Sequence, residues 1–446
     1  MTSRRQGEGE SVQRPSDDSL RRARTNLRSL VSDGPSQLPS LNLVADGIRL
    51  ELEKHGQVAI LYVSLDRYGR LEPIFGWRIV ADILDAVAAN LDGMAGSALR
   101  RLDVVSDFTL TDDAFIVLLS PPRAAETIAD DDLAAVTRRV YERLQSLLLN
   151  DLAPGVYDRV HPSVGSAIMS VDEGLTFEQN LQNGIALAMQ AAEREAAAYG
   201  DALEKTLADC VRRNELEPLF EPVVDQRAQA VVGYRSAVRG PFYSPVRLPD
   251  VLLDVARRSS LLAAYGIAAR ETTVTAAAGL KPDDLLFLGC ASGELPNAAV
   301  VAVSEFYSLN QALVPQHVVF EIDADELGVN TASTLRTLAD VREMGFQLCL
   351  SGLGAQFTTL ELIAEARPDF LCLDPVLVAN VGVEQTPIEV VQLLVRFCDR
   401  IGAELIATGV RSADQQQQLL RSGVELFCGE LFARPDTQLP AVTFAV

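Results

Sequence analysis

Histidine, tryptophan, paired cysteine and long apolar runs are all scarce in this chain. Its 446 residues hold three histidines, one tryptophan and six cysteines. Cys210, Cys290, Cys349, Cys372, Cys398 and Cys428 stand singly, with no CxxC among them. That spacing matches no zinc signature and no disulfide framework of the kind short secreted chains carry. His55, His161 and His317 are too scattered to argue for a Ser/His/Asp or Cys/His set. No stretch reaches the roughly 18 apolar residues that a membrane span needs. Residues 1–20 lack the apolar segment of a secretory signal. The expectation is a reduced, soluble, cytoplasmic protein. Positive charge is short as well: 39 Lys and Arg face 61 Asp and Glu, for a net charge of −22. That balance argues against a partner made of nucleic acid or an anionic lipid surface, because phosphate surfaces need a basic face, and the lack of an apolar span argues against membrane insertion. It leaves room for a local basic pocket.

What is present is ordinary globular material, 48% hydrophobic and 22% charged. The length suggests about three domains, or two of unequal size. Residues 1–40 hold seven Arg against five acids, with many Ser, Gln and Pro and little apolar surface. Too little burial is available there to offset ordering, so a disordered arm is expected. Residues 41–200 alternate strand-like runs (58–65, 115–119, 164–169) with amphipathic stretches (77–91, 133–149, 177–198). This pattern predicts an α/β domain with a helix-covered sheet. Residues 201–446 hold eight strand-like runs, at 219–224, 231–238, 285–290, 318–322, 346–350, 370–373, 404–407 and 426–428. Eight short strands between amphipathic helices are what a (β/α)8-type barrel requires, with chemistry at the C-terminal strand ends.

Seven words follow one another across the second half. Among them are LFEPVVD at 219–225, VVGYRSAVRG at 231–240, VVFEIDADEL at 318–327, GFQLCLSGLGAQFTTL at 345–360 and RPDFLCLDPVLV at 367–378. LIATGVRSADQQQQL at 405–419 and GVELFCGELFARP at 423–435 complete the series. Their order and spacing resemble an EAL domain, the cyclic di-GMP phosphodiesterase barrel. Residues 42–200 resemble a GGDEF domain, the diguanylate cyclase fold. The words there are LYVSLDRYGRLEPIFGW at 61–77, TDDAF at 111–115, SVGSAIM at 163–169 and IALAMQAAE at 185–193. The resemblance implies a GGDEF-like, nucleotide-cyclase-type α/β domain followed by an EAL-like barrel.

An active EAL barrel surrounds two divalent metals with carboxylates and an Asn, and the metals activate water and clamp phosphoryl oxygens. Carried onto this sequence, the Glu of Glu-Ala-Leu falls on Arg235 and the Asn on Gly289. The paired Asp fall on Ser351 and Gly352, the Lys on Cys372 and a later Glu on Thr408. Glu321 and Asp374 keep the family identity. A permanent cation at position 235 repels a metal ion. Arg235 is expected either to pair with Glu321 or Asp374, filling the vacated cation site, or to point to solvent. Of four ligand anchors, the Gln falls on Glu221, the Asp-Phe-Gly turn on Gly352-Leu353-Gly354 and a late Gln on Cys428, while Arg239 is kept. Arg239 can still offer a fork to phosphate. Loss of the other three weighs against cyclic di-GMP binding.

In the first half the signature glycines fall on Thr111 and Asp112, with Asp113 kept and Ala114 in place of the Glu. The first metal Asp falls on Ser64, while Asp66 is kept; the guanine-reading Asn falls on Glu72, the next Asp on Pro73 and a late Lys on Glu193. That pocket would be acidic and poor for GTP. No catalytic residue, metal or cofactor is expected in either half. Cys349, Cys372 and Cys428 are read as small buried apolar groups. The resemblance implies a regulatory adaptor that contacts protein partners, with a homodimer through a barrel-edge loop as a further expectation. Its rivals are a non-catalytic cyclic di-GMP receptor at the barrel mouth, using Arg239, Glu321 and Asp374, and a residual phosphodiesterase.

Overall fold

The computed structural model describes residues 38–39, 41–65, 71–94, 99, 103–107, 114–121, 127–151, 161–172, 174–291, 294, 313–328, 331–353, 360–382, 386–442 and 444. The expectations for residues 1–37, Asp66, Thr111, Asp112 and Asp113, and for the side chains of Glu72 and Pro73, lie outside the described residues and side chains. The chain divides into two compact units, Met1–Ala198 and Tyr199–Val446.

The helices of the first unit are α1 (Leu41–His55), α2 (Leu71–Gly93), α3 (Asp130–Asp151) and, up to Ala198, α4 (Phe177–Arg213). The strands are β1 (Gln57–Ser64), β2 (Val104–Asp107), β3 (Ala114–Leu119) and β4 (Ser163–Ser170). They form one antiparallel sheet in the order β2-β3-β1-β4. The central strand β1 reads QVAILYVS and is apolar on both faces. Side chains alternate across a strand, so its residues split between two cores. Ala59, Leu61 and Val63 pack in one cluster with Ile83, Val87 and Leu91 of α2 and Val140 and Leu144 of α3. Val58, Ile60 and Tyr62 pack in another with Ile48 and Leu52 of α1 and Leu181, Ile185 and Ala188 of α4. Helices therefore cover both faces. Gly165 lets α4 touch β4: a Cβ there would lie 2.1 Å from the Ala188 carbonyl oxygen. Helix α1 and strand β2 were not expected from periodicity. Strand β2 is only four residues long, too short to show it.

The second unit is a closed barrel of β5 (Glu217–Asp225), β6 (Ala230–Arg239), β7 (Leu285–Gly289), β8 (Val318–Asp323), β9 (Gln347–Leu353), β10 (Phe370–Leu373), β11 (Glu404–Ala407) and β12 (Leu426–Phe427). Around it lie α5 (Pro249–Arg258), α6 (Leu262–Ala276), α7 (Thr331–Glu343), α8 (Leu360–Ala366), α9 (Pro375–Ala379), α10 (Thr386–Ile401) and α11 (Ala413–Arg421). Seven of the strands run parallel in the expected way. Strand β5 runs antiparallel to both neighbours, β6 and β12. The reason is local: only a short turn separates β5 from β6, and a parallel pairing needs a crossover of a dozen or more residues. The Asp225 carboxylate closes that turn by accepting from the N–H groups of Arg227 and Ala228.

Alternation again divides the core. Leu286, Leu288, Phe320, Leu348, Leu371, Leu405 and Phe427 belong to the outer cluster under the helices. Val223, Phe287, Val319, Cys349, Phe370, Cys372, Ile406, Leu426 and Cys428 form the inner one. A filled interior is the norm for a small barrel. Its polar residues are left for the mouth.

Candidate functional site

The mouth is built where the strands leave that interior. Arg235 on β6 and Glu321 on β8 point the same way as the inner apolar set, two residues beyond Gly233 and Val319 on their strands. Nε of Arg235 donates to Oε2 of Glu321 at 2.9 Å, and the terminal NH2 donates to Oε1. This is the two-pronged guanidinium–carboxylate geometry, the strongest form of the contact. The side chains are 23% and 12% exposed. Burial works against the charged guanidinium, but Glu321 outweighs it and holds Arg235 well above its ordinary pKa. Between the two partners weighed from sequence, Arg235 takes Glu321.

Asp374 is engaged elsewhere. Its carboxylate caps α9, accepting from the N–H of Val376 at 2.7 Å, with Pro375 in the first helical turn. Burial still pushes its pKa up, partly offset by the N–H groups of Val376 and Leu377. Ser351 donates to the Ile322 carbonyl at 3.4 Å, and Thr408 to the Leu373 carbonyl at 2.6 Å. Gly352 has φ +83, a conformation a side chain strains to adopt. Gly289 presents bare backbone, with nothing within 4 Å of a Cβ built there.

The thiols lie below the ion pair. Sγ of Cys349 and Sγ of Cys372 are 3.4 Å apart, both fully buried. Burial raises the pKa of Cys349, and the contact with Cys372 adds to it. Burial likewise raises Cys428, with the nearby Glu221 adding to it. Cys349 and Cys428 are thus held as neutral thiols, poor nucleophiles and poor ligands in that form. Among the described residues, no group of three or more His, Cys, Asp and Glu is arranged to hold a metal ion.

Arg239 sits at the end of β6, and its Nε donates to Oε2 of Glu217 at 2.8 Å. Sequence reading treated Arg239 as open for phosphate; the structure gives it a carboxylate partner. Glu217 escapes a rule that places chemistry at C-terminal strand ends. Strand β5 runs the other way, so its N-terminal end reaches the mouth. The alternation Glu217, Leu219, Glu221 before a short Asp-rooted turn was the available signal. Arg257 of α5 pairs with Glu326, which follows β8. In the first unit, Ser64 and Ala114 lie opposite one another at the ends of β1 and β3.

Comparison with known proteins bears on this mouth. The family model described as EAL domain matches residues 202–435. The cyclic di-GMP phosphodiesterase NbdA of Pseudomonas aeruginosa is 23% identical over 403 residues, covering 85% of this chain and 48% of NbdA. The blue light- and temperature-regulated antirepressor BluF of Escherichia coli is 21% identical over 240 residues, covering 52% of this chain and 58% of BluF. The chain thus spans about half the length of these relatives. The solved structure of the EAL enzyme Bd1971, in its cAMP- and cyclic-di-GMP-bound form, aligns with a TM-score of 0.50 at 16% identity, over 62% of this chain and 79% of that one. That likeness concerns the fold.

Proposed function

This chain belongs to the EAL domain family, and we propose that it is a catalytically inactive member that acts as a regulatory adaptor through protein–protein contact. The observation that carries the reading is the fork of Arg235 on Glu321. Two-metal hydrolysis needs several anionic oxygens free to ligate hard cations. Here one of the two family carboxylates is bound to a guanidinium at the ligand position itself, and the other caps a helix. The remaining positions offer Gly289, Ser351, Gly352, Cys372 and Thr408, a donor set that does not fit a pair of divalent metals. No hydrolytic step is routed through this mouth.

The first unit is read as a GGDEF-like domain of the same tandem, also without activity. Its support is the helix-covered antiparallel sheet, together with the replacements at Ser64 and Ala114. BluF is named for antagonism of a repressor, which supports a regulatory rather than a hydrolytic part for this chain. The receptor reading is favoured by one feature: Arg239 is retained and partly exposed.

Two assays on the full chain decide among the three. Cyclic di-GMP with Mg²⁺ or Mn²⁺ is expected to remain intact by chromatography; appearance of the linear dinucleotide would end the inactive reading. Calorimetric titration of cyclic di-GMP is expected to give no saturable micromolar binding. Binding that is lost in Arg239→Ala would replace the adaptor with a receptor.

A further inference from the structure

Between β6 and α5 the chain reads GPFYSPVR, residues 240–247. The Gly240 N–H donates to the Arg247 carbonyl at 2.9 Å and closes the segment into a loop. Inside it the Ser244 N–H donates to the Pro241 carbonyl, the Arg247 N–H to the Ser244 carbonyl and the Val246 N–H to Ser244 Oγ. A Cβ at Gly240 would lie 2.4 Å from the Val246 carbonyl oxygen, so the two arms touch. Val246 is fully buried and holds the second arm down. Two prolines narrow the backbone further. On this braced turn Phe242 is 67% exposed and Tyr243 95%, their rings edge to face with centroids 4.8 Å apart. The Arg247 guanidinium lies over the Phe242 ring, 4.3 Å from its centroid. Single exposed apolar side chains need no explanation, but two adjacent rings held outward on an ordered turn mark a contact surface.

Charge selects what can cover these rings. The neighbouring cations are spent, Arg239 on Glu217, Arg257 on Glu326 and Arg258 on Asp254. Arg247 has no carboxylate partner among the described residues, in a chain whose net charge is −22. Stacking uses one face of a guanidinium and leaves its N–H edge for a carboxylate. We propose that the turn at residues 240–247 is a docking surface for an acidic protein segment, whose aliphatic side chains pack on Phe242 and Tyr243 while a carboxylate takes the edge of Arg247. The inference rests on the adaptor reading, to which it adds the contact surface and the chemistry of the partner. The turn is already ordered, so little conformational freedom is lost when it binds. Tyr, Phe and Arg are the residue types enriched at the centres of protein interfaces. An anionic membrane would meet the rest of an acidic chain as well, and a second copy docked face to face would bring the same unpaired cation against itself.

The test is fluorescence anisotropy on the full chain with a labelled synthetic peptide of four Glu-Leu-Pro repeats. Two control peptides separate the contributions: Lys-Leu-Pro repeats keep the apolar anchors, and Glu-Gly-Ser repeats keep the charge. Wild type is expected to bind the first peptide saturably and each control at least about fivefold more weakly. Tyr243→Ala and Phe242→Ala should each weaken binding about fivefold or more. Arg247→Gln should weaken it about threefold and remove its salt dependence. The Tyr243 ring is 95% exposed, so an unchanged unfolding midpoint for Tyr243→Ala shows that the fold is intact. No saturable binding by wild type, equal binding of the Lys-Leu-Pro peptide, or full binding by both aromatic variants would overturn the proposal. So would a dimer in sedimentation that Tyr243→Ala dissociates, which would assign the turn to a second copy. Flotation with phosphatidylglycerol vesicles that the same variant abolishes would overturn it in favour of a lipid surface. Hydrolysis or tight binding of cyclic di-GMP by wild type would sink the adaptor reading instead, whereas failure of the peptide alone leaves that reading standing with its contact surface elsewhere.

Discussion

Removing Arg235 should cost the barrel more than any exposed ion pair could. In Arg235→Ala the Glu321 carboxylate, 12% exposed in its side chain, loses the fork that neutralises it. An ion pair broken in such surroundings costs about 3–5 kcal/mol, because one charge stays behind without a partner. The partial exposure of Arg235, 23%, favours the lower end, about 3 kcal/mol. For a unit of about 250 residues, 1 kcal/mol moves the midpoint by about 2–4 °C, so the barrel transition should fall by about 6–12 °C. Glu321→Ala should cost a similar amount by stranding the guanidinium. The double alanine variant should cost little more than either single one, giving a coupling of about 2 kcal/mol or more. Arg235→Met/Glu321→Leu should be near neutral, since an apolar pair of similar volume avoids desolvating charge. Scanning calorimetry on the full chain is the assay. An Arg235→Ala barrel transition within about 2 °C of wild type would refute the reasoning, for the pair would then behave as a solvated surface contact.

Three further outcomes test the fold. Burial raises the Asp323 pKa above its ordinary 3.8, so ionisation of that carboxyl opposes folding, and wild type regains the loss as pH falls through that raised value. Asp323→Asn should therefore be more stable than wild type at pH 7, with the advantage gone below about pH 4, by urea midpoints at both pH values. Gly165→Ala places a methyl 2.1 Å from the Ala188 carbonyl oxygen and must lift α4 from β4. A loss of about 1–3 kcal/mol in the first unit is expected, read from its transition in scanning calorimetry. Ser412 and Gln415 form a reciprocal capping box at α11, so Ser412→Ala should cost the barrel about 1 kcal/mol in urea unfolding.

Periodicity and turn chemistry were enough to place the eight barrel strands. Each strand has an apolar run of two to four residues, and parallel barrel strands packed on both sides read as such runs. Short elements were harder. Strand β2 is four residues long and mostly partnered by β3, so its place comes from the sheet and not from its own sequence. The extent of α4 was also hidden, because its Ala- and Glu-rich middle continues unbroken to Arg213, past the division between the units. At the mouth, residue identities stood in plain view, but their partners did not. Asp374 could have met Arg235, yet Pro375 after it starts a helix that takes the carboxylate as its cap.

By itself the sequence determined which groups stand at the mouth. A guanidinium stands at position 235, thiols at 372 and 428, and glycines at 289 and 352, and folding changes none of those identities. It determined the alternation that sends one set of residues inward and the other under the helices. Only the tertiary structure decided which charges meet. Arg235 and Glu321 are 86 residues apart and become neighbours because β6, β7 and β8 lie side by side. Glu217 reaches Arg239 because the first strand is reversed, which brings its N-terminal end to the mouth. Ion pairing depends on distances of a few ångströms between side chains, and those distances are set by strand order, direction and register.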